Sequence, residues 1–484
     1  MKTHFLFLAF FLNALPAFCQ EKIFELRLPE EFRTKLIAST THSTEKSTFQ
    51  HYLLATKNKI SHIYLFHDGR KREVSSEIVN DTDSDSDTIN NATFDDSKII
   101  SLYRSSKYLL HIPGNLTSTD VIYRNNSTKY YIITTDMKSG EIKVTDTLKK
   151  SMGVEFVGCF SKRDTIFLLQ HLLSKNYFTV TTKPLKGDFA VDTIKIKFPE
   201  EQEIKIGNFT KNETPQAIHT FPSSNIWIPL YLADSKNAAF QNQEHLYILI
   251  NNPSINVSFI DIDIVQKKYE SKQIAPGGSI QGKSKISASS WLADHVVISG
   301  FTTGETIKLF FYNLRSDQFI DSLTITNDNF QRFATSSVIK TGDFWSKSNV
   351  KESSFNEFMK KVKSNRLLIT GYQKDGELFL TMGTRFDIVT STFIGNVLTL
   401  GMLDFKQTKP PTMLTFDLSL KLPTLEPALK ETRNFVWEKI LMFIWGRRND
   451  LRYTFMEFQN GHYYLTHYDH QSKKLTTYRY YQFL

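Results

Sequence analysis

At 484 residues the chain is long enough for about three average domains, and 40% hydrophobic with 23% charged residues marks an ordered globular protein. Twenty glycines and 14 prolines exclude collagen-like and low-complexity chains, and a body this size can bury a core without disulfide or metal staples. The formal net charge is +9, but Lys and Arg are scattered with no run of five, so no nucleic-acid partner is expected.

Lys2 precedes an apolar run at residues 5–12, and a more polar stretch with Pro16 and Ala17 leads to Cys19. This three-part pattern predicts a signal peptide over residues 1–19, cleaved before Gln20. Eight apolar residues fall far short of the roughly 20 that span a bilayer. Acylation of Cys19 is the weaker alternative, because Phe18 stands where a bacterial lipobox has a small residue. The chain is therefore expected to be secreted, periplasmic or at the cell surface, with no transmembrane segment in its mature part. The apolar run 440–445, closed by Arg447 and Arg448, fits a buried strand. After cleavage Cys159 stands alone, which excludes an internal disulfide and reads as an inert buried thiol.

Residues 79–96 carry Asp81, Asp83, Asp85, Asp87, Asp95 and Asp96 with no Lys or Arg, so the rest of the chain is more basic than its net charge states. The start of this acidic insert is superficially like a calcium loop. Ser86 and Ala92 stand where an EF-hand needs Gly and a bidentate Glu, so a solvated acidic loop is expected.

The body reads as repeated groups of short β runs. Runs 154–160, 166–169, 177–181 and 189–194 form one group, the first two continuously apolar and the last alternating, as inner and outer strands should. Runs 290–292, 295–298, 307–312 and 319–323 repeat that order. Further groups surround Asp68-Gly69 and Ser139-Gly140, another covers 246–274, and the last covers 453–481 around Asn460-Gly461. Residues 333–422, with the Asp375-Gly376 turn, supply one or two more units.

Four strands per unit at spacings of about 40 to 50 residues resemble a β-propeller. The resemblance is architectural; WD40-like, kelch and sialidase motifs are absent. It implies an all-β fold over residues 20–484, a single seven-bladed propeller with short helical insertions, eight or six blades being the neighbouring counts. An outer-membrane barrel, suggested by the aromatic C-terminus, conflicts with the continuous apolar runs.

Smaller patterns complete the reading. Ser354 with Glu357 resembles a capping box, and Phe355, Phe358, Met359 and Val362 follow helical spacing, which predicts a short amphipathic helix over 354–364. A second is expected over 427–439. Asp146-Thr147-Leu148, Asp192-Thr193-Ile194 and Asp321-Ser322-Leu323 read as outer-strand starts, and secondarily resemble O-glycosylation acceptors of secreted bacterial proteins. His462, His467 and His470 form the densest histidine group, but strand alternation separates them. His51, His62 and His67 read as isolated polar residues on strands. Eight Asn-x-Ser/Thr sequons, from Asn80 to Asn256, would be surface sites in a glycosylating host.

No nucleophile elbow, zinc-protease helix, Cys-x-x-Cys pair or phosphate loop occurs, so no catalytic, cofactor or metal residue is assigned and no cofactor is expected. The expected function is a non-catalytic binding or scaffold module, monomeric, taking a protein or glycan ligand of anionic character. The alternative is a propeller hydrolase or lyase acting on glycan or peptide at the central channel.

Overall fold

The computed structural model describes residues 20–28, 35–43, 48–55, 59–66, 68–77, 107–112, 117–123, 129–149, 154–162, 165–172, 177–185, 192–197, 218–221, 223–228, 230, 233, 237–242, 245–251, 257–263, 266, 268–274, 288–341, 351–385, 413–428, 454–459, 462–469 and 472–481. The signal peptide with Cys19, the acidic insert, His67, His470, the asparagines of all eight sequons, the run 440–445 and most of 427–439 lie outside these residues. No helix among the described residues is long and apolar enough to cross a membrane.

The fold is all-β, and the described strands form seven sheets. The first strand, β1 (Gln20–Arg27), belongs to the last sheet. Sheet I comprises β2 (Lys35–Ser43), β3 (Thr48–Ala55), β4 (Lys59–Phe66) and β5 (Lys71–Glu77). Sheet II comprises β6 (Lys107–Ile112), β7 (Thr117–Tyr123), β8 (Lys129–Asp136) and β9 (Ile142–Lys149). Sheet III comprises β10 (Val154–Lys162), β11 (Thr165–Leu172), β12 (Tyr177–Pro184) and β13 (Asp192–Lys197). All three are antiparallel meanders in chain order.

Sheet IV has five strands, β14 (Ile218–Phe221), β15 (Asn237–Asn242), β16 (His245–Asn251), β17 (Val257–Asp263) and β18 (Lys268–Ile274). The extra strand, β14, pairs parallel to β15. Between them Ile226, Trp227, Ile228, Leu230 and Ala233 are buried, so this connection runs through the interior. Asp294 donates its N–H to Ser224, Asn225 exchanges two bonds with the Gln373 backbone, and Tyr463 donates to the Trp227 carbonyl. The connection thus ties three further sheets together.

Sheet V is β19 (Ala288–Ala293), β20 (Val296–Thr303), β21 (Thr306–Asn313) and β22 (Gln318–Ile325). After helix α1 (Phe330–Phe333), sheet VI collects β23 (Val338–Thr341), β24 (Lys351–Ser353), β25 (Leu367–Lys374), β26 (Glu377–Arg385), β27 (Met413–Lys421) and β28 (Glu426–Pro427). Residues 333–422 therefore contribute one sheet among the described residues, with β23 on the far side of β27 from β26. Helix α2 (Phe355–Ser364) starts at Ser354, whose side chain accepts from the Glu357 N–H, and it buries the four apolar residues its spacing selects.

Sheet VII is β29 (Thr454–Gln459), β30 (His462–Asp469) and β31 (Lys474–Tyr481), completed by β1 pairing antiparallel to β31. Lys474 with Glu25, and Arg479 and Tyr481 with Glu21, reinforce that pairing on the exposed side.

The first strands of sheets I to IV touch in sequence (β2 with β6, β6 with β10, β10 with β14), β19 touches β25, and β29 touches β2. β2, β6 and β10 each carry a register shift near their start, at Leu36/Ala38, Tyr108/Leu110 and Phe156/Gly158. One extra residue at the same place in three successive sheets is a structural repeat that the side-chain identities conceal. At the far edges β18 and β22 are mostly exposed, whereas β20 is almost wholly buried. Gly140 shows why a turn glycine is needed: its φ is +82°, and a Cβ there would lie 2.5 Å from the Ser75 carbonyl oxygen of the neighbouring sheet.

The Asp-Thr-Leu pattern has a local cause in two of its copies. β9 and β22 bulge just before Asp146 and Asp321, and each aspartate accepts the N–H of the next residue, 2.6 and 2.7 Å away. Asp146 also pairs with Lys183 of sheet III.

Candidate functional site

The two hairpins β3–β4 and β6–β7 meet where sheet I faces sheet II. On β3–β4, His51 pairs with Tyr64 and Leu53 with His62, so period-two alternation puts His51, His62 and Tyr64 on one face. On β6–β7, the extra residue near the start of β6 sets the register in which His111 lies opposite Asp120. Ser118 and its partner Thr135 on β8 share that face. A one-residue slip would send these side chains to the opposite faces, so the bulge is what aims His111.

The result is a sealed polar cluster. His51, His62 and Asp120 are 0% exposed and His111 5%. His51 Nε2 and His62 Nδ1 are 3.1 Å apart, a hydrogen bond in which one ring donates to the other. His62 Nε2 is 3.3 Å from Thr135 Oγ1 and 3.7 Å from Asp120 Oδ2. The other Asp120 oxygen lies 2.7 Å from His111 Nδ1. A carboxylate oxygen accepts, so His111 carries its proton on Nδ1, and Nε2 faces the Tyr64 hydroxyl at 3.5 Å. The His51 and His111 rings stack with centroids 3.7 Å apart and planes 13° from parallel. Tyr64 further reaches Met137 Sδ at 3.7 Å.

Burial dominates the electrostatics. It pushes His62 down to about 4, against the pull of Asp120, so His62 is neutral at physiological pH. Burial likewise holds the Tyr64 phenol well above its ordinary value. Asp120 bridges two histidines, and three imidazoles each offer a ring nitrogen, all within 4.8 Å of one another. Such a set can share a proton or hold a transition-metal ion. It cannot reach a bulky substrate, because no member has appreciable contact with solvent.

The isolated reading of His51 and His62 is thus corrected: the hairpin makes them neighbours, and sheet II adds His111 and Asp120. Register is the signal that finds them. Residues 51 with 64 and 111 with 120 become opposite partners once the strand ends are fixed. By contrast, the 462–470 group stays divided. His462 is half-buried and His467 fully buried on β30, and they fall on opposite faces. Cys159 is a buried free thiol packed with Ile166, Leu168 and the apolar face of sheet II, and burial raises its thiol far above the ordinary value.

No protein-family model and no curated protein matches the sequence. Among solved structures, oligopeptidase B from Leishmania major is similar at TM-score 0.35 and 8% identity, covering 93% of this chain and 49% of that one. Prolyl oligopeptidase B from Galerina marginata is similar at TM-score 0.29 and 9% identity, covering 74% and 47%. A subtype N10 neuraminidase-like protein of an A/little yellow-shouldered bat isolate is similar at TM-score 0.27 and 8% identity, covering 82% and 98%. The chain spans about half the length of the oligopeptidases. Likeness at this level carries no information on activity or partner.

Proposed function

We propose that this chain is an exported seven-bladed β-propeller acting as a non-catalytic binding or scaffold module of the cell envelope or extracellular space. The observation that carries the architecture is closure: the seven sheets follow chain order, and β1 completes the sheet built from the last three strands. The histidine cluster is not where we place a catalytic site. Among the described residues it is the group of three or more potential metal-ligating side chains that converge, and it is sealed. A catalyst's acid, base or nucleophile must reach its substrate. Loops on a rigid sheet scaffold suit binding, and the basic body favours anionic protein or glycan partners by raising encounter rates at low salt.

The test is a screen of the purified mature chain against peptide, ester and glycan substrates, run beside retention on immobilised anionic and neutral polysaccharides. Salt-sensitive retention on the anionic support without turnover is expected. Turnover that disappears when a channel-lining carboxylate or histidine is substituted would make the chain a hydrolase or lyase instead.

A further inference from the structure

We propose that His51, His62 and His111 form a site for a divalent late first-row metal ion, with zinc as the probe, that clamps sheet I to sheet II. The ligand set is three imidazoles whose nitrogens already lie within 4.8 Å of one another. His51 Nε2 and His62 Nδ1, at 3.1 Å, are close to the separation of about 3.3 Å that two nitrogens take around tetrahedral zinc at 2.0–2.1 Å. Imidazole suits zinc, copper, nickel and cobalt, and not calcium or magnesium.

The surroundings are those of a supported site. Metal-binding histidines usually donate their second ring N–H to a carboxylate or another oxygen acceptor, which fixes the tautomer and orients the ring. Here Asp120 takes that place on His111 Nδ1, and the Thr135 hydroxyl takes it on His62 Nε2, with Asp120 3.7 Å away. These contacts leave His62 Nδ1 toward His51 Nε2 and His111 Nε2 toward the Tyr64 hydroxyl. Asp120 also brings one negative charge beside the dication. The Tyr64 hydroxyl lies 3.5 Å from His111 Nε2 and is the oxygen we assign to the fourth position.

Binding requires a tautomer change and a ring rotation. With His62 protonated on Nε2, the proton of the His51–His62 bond sits on His51 Nε2 and must pass to Nδ1 before both nitrogens can ligate. A coordinated ion lies in the plane of each ring, and two parallel rings 3.7 Å apart cannot both contain it. The His51 ring must therefore turn out of its stack on His111, drawing the three nitrogens together. Because the residues are sealed from solvent, the ion enters while the chain folds or when the two sheets part. Exchange from the folded protein is correspondingly slow. This role is structural, and its failure would leave the binding-scaffold reading untouched.

The experiment uses the full mature chain, unfolded in denaturant with chelator, freed of both, and refolded with or without equimolar zinc or cobalt. One equivalent of metal retained through gel filtration is expected. The cobalt form should show the visible absorption of a four-coordinate site, and zinc X-ray absorption fine structure should show three imidazole nitrogens at about 2.0–2.1 Å. His62→Gln and His111→Gln should lose the equivalent, and Asp120→Asn should weaken binding by about 10–100-fold. His245→Gln, at the separate and half-exposed pair with Asp261, should bind as the parent does. Folded parent protein that retains no metal overturns the proposal, as does an equivalent that survives in His62→Gln. Should the variants fail to fold, the fine structure of the parent decides alone, and a spectrum without imidazole scattering sinks the site.

Discussion

Sheet II meets its two neighbours by different chemistry. Toward sheet III it presents Val121, Tyr123, Tyr130, Ile132 and Leu148, which pack on Cys159, Ile166 and Leu168. The Tyr130 hydroxyl there accepts from Gln170 Nε2 at 3.0 Å, so its one polar group is satisfied within the apolar contact. Toward sheet I it presents His111, Asp120 and Thr135 against His51, His62 and Tyr64. Apolar contact is non-directional, and trimming one side chain costs roughly in proportion to what is removed. The polar contact is conditional: each donor needs its acceptor, and losing one leaves others buried without partners. The same sheet therefore offers a tolerant face and a brittle one.

The sharpest way to break that contrast is Asp120→Ala, which removes the carboxylate that accepts from buried His111 Nδ1. A loss of about 1–3 kcal/mol in urea unfolding is expected, the cost of a buried donor left without its acceptor. A loss under about 1 kcal/mol would mean that the carboxylate does not hold the cluster.

Acid should separate the faces next. In chelator-treated protein, folding lowers His62 from 6.5 to about 4, so the unfolded chain takes up the proton first. Its contribution is complete above about pH 6.5 and is lost as pH falls toward 4, by up to about 3 kcal/mol. Urea midpoints measured across that range should fall, and His62→Gln should flatten the fall.

On the other face, Ile132→Val should cost only about 0.5–1.5 kcal/mol, with no dependence on pH. The smallest effect concerns reactivity alone. Cys159 should resist a thiol reagent in the native protein and react fully in denaturant, since burial both raises its thiol and closes access. Rapid native labelling would show that sheets II and III part readily.

Much of the sheet pattern was legible where strands were continuously apolar. The first three runs between 154 and 181 correspond to β10–β12, the fourth overlaps β13 at 192–194, and the turns at Gly69, Gly140, Gly304 and Gly376 carry positive φ as hairpin glycines should. Strands rich in small polar residues were missed. β2 (KLIASTTHS) and β7 (TSTDVIY) show little apolar periodicity, because their neighbours and not their own composition make them strands. β14 escaped notice because its pairing is parallel, across a buried connection. The histidine cluster stayed hidden for a related reason. Its members lie up to 69 positions apart, and two of the four come from the very strands, β3 and β7, whose pairing depends on exact register.

The pairing of Gln20 with Tyr480 and of Arg27 with Lys474 has a kinetic side. These partners are separated by nearly the whole chain, so sheet VII is the pairing of greatest sequence separation and pays the largest loop-closure entropy. The meander sheets can each form from local hairpins while β1 waits, unpaired, for the last strand. Until then β1 is unpaired and β31 has an uncovered edge, and each is a template for a neighbouring chain. Refolding yield should therefore fall with protein concentration during that interval, and a free peptide of residues 20–28, added early, should compete for the β31 edge and leave sheet VII one strand short.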